Sequence, residues 1–437
     1  MVKVLRKRRL TFLLLPIAFL AAGCGQRPST RGDARPNILF ILIDSLRADH
    51  LRVYGYEKDT ADTIEALARK GSVFDQHIAT ASQTVPSTVS IMTSQFPAEH
   101  GFRHRSDGQF IAQPPHFPEK LVFLAELFSN AGYDTAGYMG CPFLVARNGF
   151  RQGFHEFLYS SGIGETLTSP AIEWMKAQST NANPFFLYIH YFDVHWPYSP
   201  PEDYRHRFAP PEGGTLVYNH GIVSDVSATD LEYTIAMYDA EIAYTDDQIA
   251  RLLDTLDELG VRENTVIVIT ADHGDEFMDH GGMGHGTTVY GELIRVPLII
   301  AYPPAFEAGR RIGFLTRHID LGPSLLALAG IRKPPSFRGH ELARAEETFA
   351  EDCAYVAAYA KDRKLVVNGE TGRRELFAYD DKRDQQPLSE EEPLEDLSDR
   401  IAAYQQSMRI PPTGVASPTR SWSKEEEDEL RSLGYVR

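Results

Sequence analysis

Cysteine is scarce, with three in 437 residues. Cys24 stands near the start, and Cys141 and Cys353 are far apart in sequence, so no disulfide framework is indicated; a single bridge between the last two stays open. Basic charge is also short: 44 Lys and Arg face 60 Asp and Glu, a formal net charge of -16. An acidic body of this kind repels nucleic-acid backbones and anionic lipid surfaces, so a nucleic-acid partner is excluded as an expectation. No internal repeat is visible, which argues against a solenoid. Long apolar runs are missing too. The longest, Leu10 to Ala22, is too short for an ordinary transmembrane helix. What is present is a globular composition, 43% apolar and 24% charged, long enough for one large α/β domain and a smaller appendage.

The first residues read as an export signal: Lys3, Arg6, Lys7, Arg8 and Arg9 form a basic region, followed by the apolar stretch and small residues. The run Leu20-Ala21-Ala22-Gly23-Cys24 looks like a bacterial lipobox, so residues 1–23 are expected to be a lipoprotein signal peptide and Cys24 the lipidated anchor. Residues 24–35, rich in Pro, Ser, Gly and charge, suit a flexible tether. The expected location is therefore the cell envelope, anchored to a membrane and facing the periplasm or the surface.

A repeated grammar organises the body. Ile38 to Ile43 is a continuous apolar run ending at Asp44, Phe185 to Ile189 ends at His190, and Thr265 to Thr270 leads to Asp272-His273. Such runs suit parallel strands buried on both faces, and ligands gather at the carboxyl ends of parallel strands. Amphipathic helices are expected over Thr60 to Lys70, Leu121 to Ala131 and Tyr233 to Leu259. The alternation predicts an α/β, doubly wound, mostly parallel central sheet over residues 36–345. Short strands over Ala354 to Ala360, Arg363 to Asn368 and Arg374 to Tyr379 predict a small C-terminal antiparallel α+β subdomain, residues 346–437, closed by helices. The Pro- and Gly-rich stretch Pro197 to Ser227 reads as a long excursion, either a substrate-side wall or plain surface loop.

Chemistry concentrates in two places. In Asp272-His273-Gly274 a carboxylate and an imidazole leave a buried strand together, and Gly274 permits a tight turn that lets both face one cation. Alone, such a pair is as often a structural feature or helix cap. Asp44 at a second strand end and the run His280-Gly281-Gly282-Met283-Gly284-His285-Gly286 add weight, since a neutral His binds metal or moves a proton. The second place is Ser82 to Met92. Pro86 fits the first turn of a helix, which puts Thr84 near a helix N-terminus, where it either caps the helix or serves as a nucleophile.

Taken in order, Asn37-x-Leu39 through Asp44-Ser45-Leu46-Arg47-Ala48-Asp49 with Tyr54-Gly55, then Thr84-x-Pro86-Ser87, Asp193-x-His195-x-Pro197-Tyr198 and Asp272-His273-Gly274 resemble the sulfatase branch of the alkaline-phosphatase superfamily. The resemblance runs from Pro36 to the tail Leu430 to Val436. It implies that Asp44, Asp272 and His273, with Thr84, bind one divalent cation, calcium, manganese or zinc. It implies Thr84 as nucleophile, with His195 and His285 holding ester oxygens or protonating the leaving group. His190 is a weaker candidate for the same tasks, since a strand-end His is more often a structural hydrogen-bonding residue.

Three departures from the family pattern bear on the reaction. Typical members place a cysteine or serine, converted to formylglycine, where this chain has Thr84, and an arginine at Thr88. Threonine cannot form that aldehyde hydrate, so the usual sulfatase route is closed. Asp44-Ser45 replaces a common aspartate pair, which makes calcium less secure and favours manganese or zinc. Met139-Gly140-Cys141-Pro142 carries no lysine or histidine for gripping sulfate. The resemblance therefore implies a sulfatase-like hydrolase of sulfate or phosphate esters, independent of formylglycine, acting on a small molecule, glycan or lipid ester. A phosphodiesterase or phospho-headgroup transferase is the alternative enzyme, and a catalytically silent glycan- or partner-binding lipoprotein the alternative of another class. Asp193 with His195 and His285 offers at most a partial second metal site.

Overall fold

The computed structural model describes residues 35–102, 117, 119–178, 181–217, 221–222, 225–352, 354–360, 362–389, 395–407, 423–425 and 428. The expected signal peptide, Cys24, nearly all of the tether and the tail Leu430 to Val436 lie outside the described residues.

A nine-stranded sheet carries the architecture. Across it run Arg295–Val296, Ser72–Ile78, Leu298–Ala301, Thr265–Ala271, Asn37–Ile43, Phe185–Tyr191, Asp134–Met139 and Glu156–Tyr159, with Arg310–Arg317 also paired to Ser72–Ile78. The pairings around Asn37–Ile43 and out to Glu156–Tyr159 are parallel, as is that of Arg310–Arg317; Leu298–Ala301 and Arg295–Val296 run antiparallel. Every residue of Asn37–Ile43, Phe185–Tyr191 and Thr265–Ala271 is buried, which explains why those segments read as unbroken apolar runs.

Side chains alternate across the sheet and sort into two cores. Ile38, Phe40 and Leu42 join Phe186, Tyr188, Val266 and Val268 on one face, beneath the helices Thr84–Thr93, Leu124–Asn130 and Leu321–Leu328. Leu39, Ile41 and Ile43 join Leu187, Ile189, Ile267 and Ile269 on the other, beneath Asp62–Lys70, Glu165–Gln178 and Ala228–Glu258. Helices on both faces make the fold doubly wound. The long helix begins five residues before the apolar periodicity that announced it, because Ser227 caps it by accepting the Asp230 N–H at 3.0 Å.

A second, four-stranded antiparallel sheet takes Glu347–Asp352, Tyr355–Ala360, Arg363–Asn368 and Arg374–Ala378 in chain order. Its Val356, Ala358, Leu365 and Leu376 face Leu397, Ile401 and Tyr404 of the helix Glu395–Ser407. Its opposite face, through Ala357, Tyr359, Val366 and Phe377, joins the core of the main sheet. A three-stranded ribbon of Gly221–Ile222, Gly282–Gly284 and Glu276–Phe277 completes the fold; the excursion from Pro197 thus carries one helical turn, Glu202–Arg205, and ends as a strand of this ribbon. Among the described residues no helix is long and apolar enough to cross a membrane.

Candidate active site

Strand register builds the centre. Ile43 pairs with Ala271 and with Tyr191, so Asp44 and Asp272 leave neighbouring strands side by side, on the face that carries the helix Thr84–Thr93. Both carboxylates are fully buried. Asp272 Oδ1 accepts the N–H of Ser45 at 3.1 Å and of His273 at 2.8 Å, whereas its Oδ2 has no hydrogen-bond partner. Ser45 holds a left-handed φ of 58°, a strained conformation for a residue with a side chain, and in it donates that N–H to Asp272. Burial, and then the charge of Asp272, pushes the Asp44 carboxyl well above its usual range.

His273 is oriented by its own chain. Its Nδ1 lies 2.9 Å from the Gly274 carbonyl, which can only accept, so Nδ1 carries the hydrogen and Nε2 presents its lone pair inward. Nε2 stands 3.6 Å from Asp272 Oδ2 and 3.8 Å from Asp44 Oδ1. Gly274 is required here because a Cβ would sit 2.0 Å from the Glu292 carbonyl oxygen.

Thr84 is the first residue of its helix, and the N-cap is Gln83, which makes no side-chain cap. The capping role left open for Thr84 is not the one it plays. Its Oγ1 donates to Asp44 Oδ2 at 3.2 Å and lies 3.2 Å from His273 Nε2. Thr84 is thereby placed among Asp44, Asp272 and His273, whose ligand-type atoms all lie within 4.8 Å of one another. Two buried carboxylates, a lone pair fixed inward and an oxygen without a partner are what a divalent cation requires, so these residues fit one. His190 does not play the structural hydrogen-bonding role that is commoner for a strand-end His. Neither ring nitrogen has a hydrogen-bond partner, and Nε2 stands 3.6 Å from Asp44 Oδ2. Burial lowers its pKa to about 4, leaving it neutral and able to share the same cation.

His195 and His285 meet on the open side of this cluster. The His285 ring centroid is 4.4 Å from that of His273 and 5.0 Å from that of His195. Burial, and then His285, holds His195 well below its usual pKa. Sequence reasoning assigned no role to Asp275, which the structure makes the organiser of this side: Oδ1 accepts from His285 Nδ1 at 2.7 Å, and Oδ2 accepts the Tyr198 hydroxyl. The proximity of Asp275 to Asp272 and of Tyr198 to His195 in sequence was the only signal. Asp193 stays apart, accepting the Gly164 N–H at 2.7 Å, and no metal-capable cluster among the described residues contains it.

Behind the centre, Ser87 donates to the Asp272 carbonyl at 2.6 Å and accepts from His318 Nδ1 at 3.0 Å. His318, pushed down to about 3 by burial, is a neutral buttress. Thr88 and Cys141 are fully buried, and Cys141 is a free thiol, so neither supplies the positive charge that typical members place there.

Residues 36–331 match the profile of the Sulfatase family. The chain is 26% identical over 368 residues to the ulvan-active sulfatase of Formosa agariphila, spanning 76% of this chain and 69% of that protein. It is 24% identical to the N-acetylglucosamine-6-O-sulfatase of Bacteroides thetaiotaomicron, over 76% and 74% of the two chains. Among solved structures, BT4656 in complex with its substrate D-glucosamine-2-N,6-O-disulfate superposes with a TM-score of 0.68 at 18% identity, covering 89% of this chain and 100% of that one. The phosphonate monoester hydrolase of Agrobacterium radiobacter gives a TM-score of 0.68 at 19% identity, over 86% and 95%. The match extends from the strand before Asp44 past the Asp272-His273 pair and covers well over half of the chain, which makes this protein a member of the sulfatase family.

Proposed function

We propose that this sulfatase-family hydrolase cleaves sulfate or phosphate esters with Thr84 as its nucleophile and one divalent cation held by Asp44, Asp272, His273 and Thr84. The observation that carries the reading is the placement of Thr84 Oγ1 at 3.2 Å from both Asp44 and His273, inside the cluster and away from any capping bond. A cation bound there lowers the hydroxyl pKa and offsets negative charge on the ester oxygens. Thr84 Oγ1 passes its proton along its hydrogen bond to the Asp44 carboxylate and attacks sulfur or phosphorus, the ester oxygen leaves, and the group is carried on Thr84 until water removes it as sulfate or phosphate and the proton returns to Thr84. The Asp275 carboxylate stabilises an imidazolium at His285, which protonates the leaving oxygen from Nε2 and afterwards takes a proton from the attacking water. His195, kept neutral, holds an ester oxygen.

A phosphate or sulfate acceptor reaction is the second reading, favoured by Thr84 itself: a threonine ester can pass its group to an alcohol as well as to water. The two curated sulfatases and the sulfated sugar substrate of BT4656 support a sulfated sugar as substrate class. The basic leader and Leu20-Ala21-Ala22-Gly23-Cys24 support export and anchoring through Cys24, and labelling by a radioactive fatty acid that disappears in Cys24→Ser is the check.

The deciding experiment is turnover of aryl sulfate against aryl phosphate by wild type and Thr84→Ala, with chelation and metal add-back. Thr84→Ala is expected to lose about 10³-fold or more in kcat while keeping its fold. Residual activity within about tenfold of wild type would remove Thr84 from the mechanism. If only the transfer of label from a phospholipid to an alcohol is seen, the second reading holds.

A further inference from the structure

A cavity of about 430 Å³ that none of the candidate catalytic residues lines is bounded by Asp49, Tyr54, Tyr56, Arg295, Lys382 and Arg383. Its volume falls in the range of ~300–1,000 Å³ that holds small ligands. In a protein of formal charge -16, four cations, Lys58, Arg295, Lys382 and Arg383, gathered on one cavity with two acids, Asp49 and Glu57, are unexpected. The carboxylates nearby are already occupied. Asp49 is shared by Arg47 and Arg383, Asp75 is paired with Arg311, and Asp239 takes the neighbouring Lys58.

Arg295 is the telling residue. It is 5% exposed, its Nε donates to the Asp75 carbonyl, its guanidinium stands 5.8 Å from the Tyr54 ring centroid, and its Nη2 has no hydrogen-bond partner. Asp49 and Asp75 act on it from a distance, but no carboxylate pairs with it directly; a buried guanidinium without a paired carboxylate is costly, and a planar fork with an unpartnered nitrogen matches an oxyanion. Lys382 reaches the same space from the segment that follows the four-stranded sheet, and Asp75, already paired with Arg311, is the carboxylate that acts on it. Burial and then the charge of Arg295 lower the Lys382 pKa, with Asp75 acting in the opposite sense. An anion between them removes both penalties. Glu57 also lines the cavity; it is exposed, as is Lys382, so water screens both charges and the buried Arg295 carries the preference for an anion.

We propose that this cavity is a second anion site, separate from the catalytic centre, in which Arg295, Lys382 and Arg383 bind a sulfate or phosphate group, either free or on a sugar. The tyrosines give the attached sugar an apolar wall, and the volume leaves space for it.

The test is calorimetric titration of the metal-loaded full chain at low ionic strength with inorganic sulfate, inorganic phosphate and glucosamine 6-sulfate. Lys382→Gln and Arg295→Gln are each expected to weaken one binding event about tenfold or more, and Lys382→Arg to restore it. Lys382 is exposed and its variant keeps the fold, so a misfolded Arg295→Gln leaves the test intact. Turnover of the aryl ester by Lys382→Gln is expected to stay within about twofold of wild type. Tighter binding of glucosamine 6-sulfate than of sulfate identifies a sugar ester as the ligand, and the reverse a free anion. Absence of binding by wild type, identical binding by Lys382→Gln, or loss of turnover in step with binding overturns the proposal. Because binding is read by heat, a Thr84→Ala enzyme that remains active would leave this result standing.

Discussion

Asp275 holds one of its carboxylate oxygens on His285 and the other on Tyr198, so both of its neighbours are donors. Asparagine keeps the size but turns one of those oxygens into an NH₂ that faces a donor. Asp275→Asn is therefore expected to release either the His285 ring or the Tyr198 hydroxyl and to remove the charge that stabilises an imidazolium. Turnover should fall about 10²- to 10⁴-fold with little change in bound metal. The pH profile separates this from a merely structural role: the proton supplied by His285 should be lost at lower pH in the variant, because the imidazolium no longer has its carboxylate. An unchanged profile at reduced kcat would assign Asp275 to folding alone. In the proposed reaction Thr84 and Asp275 thus sit at opposite ends of one chemical task, the first receiving the group and the second holding the acid that lets the alcohol go.

At the scale of elements, the turn after Thr265–Ala271 leaves almost no room for a larger residue. A Cβ on Gly274 would approach the Glu292 carbonyl oxygen to 2.0 Å and the Arg47 Cγ to 3.1 Å. Gly274→Ala must move either the turn that orients His273 Nδ1 or the short helix Gly291–Ile294, and overpacking of this kind costs about 1–3 kcal/mol. The expected result is a lower melting temperature together with weaker metal retention, measured by calorimetry and elemental analysis; a variant with full metal content would show that the turn is not what fixes His273. The strands that end in Asp44, His190 and Asp272-His273 were legible because strands buried on both faces leave unbroken apolar runs. The three strands after residue 354 were legible from their turns, whereas Glu347–Asp352, which precedes them, was not recognised. The union of Tyr198 with Asp275, the left-handed Ser45 and the Ser87-His318 buttress depend on contacts between segments 77 to 231 residues apart or on a backbone angle, and no local pattern encodes either. Even Thr84 was ambiguous for this reason: its sequence fits a cap, and only the packing of Val85 and Val89 against the sheet turns its hydroxyl toward Asp44.

For the whole molecule, the four-stranded sheet is tied to the catalytic ribbon by buried charge. Lys364 of Arg363–Asn368 pairs with Asp384 and donates to the Val289 carbonyl at 2.8 Å. The Asp384 carbonyl accepts from His280 Nε2 at 3.0 Å, while His280 Nδ1 lies 2.9 Å from Glu292 Oε1. With both ring nitrogens facing acceptors, His280 is held as an imidazolium. Burial alone would lower its pKa, but the hydrogen bond and charge of Glu292, with the Asp384 carbonyl, raise it to about 9. A folded-state pKa above the unfolded value means that the native chain holds the extra proton, so the contribution is complete below pH ~6.5 and is lost as pH rises through about 9. Glu292, pushed up to about 7 chiefly by burial, acts in the same sense at lower pH, between its ordinary range and neutrality. Melting temperature should therefore fall from pH 6.5 to 9.5 in wild type and fall less steeply in His280→Gln, which keeps the size but cannot titrate. Parallel slopes for the two proteins would show that the joint between ribbon and second sheet does not depend on this proton. The same melts read at the ribbon matter for activity, because His285 stands five residues beyond His280 on it, and loosening the joint at high pH should lower turnover before the protein as a whole unfolds.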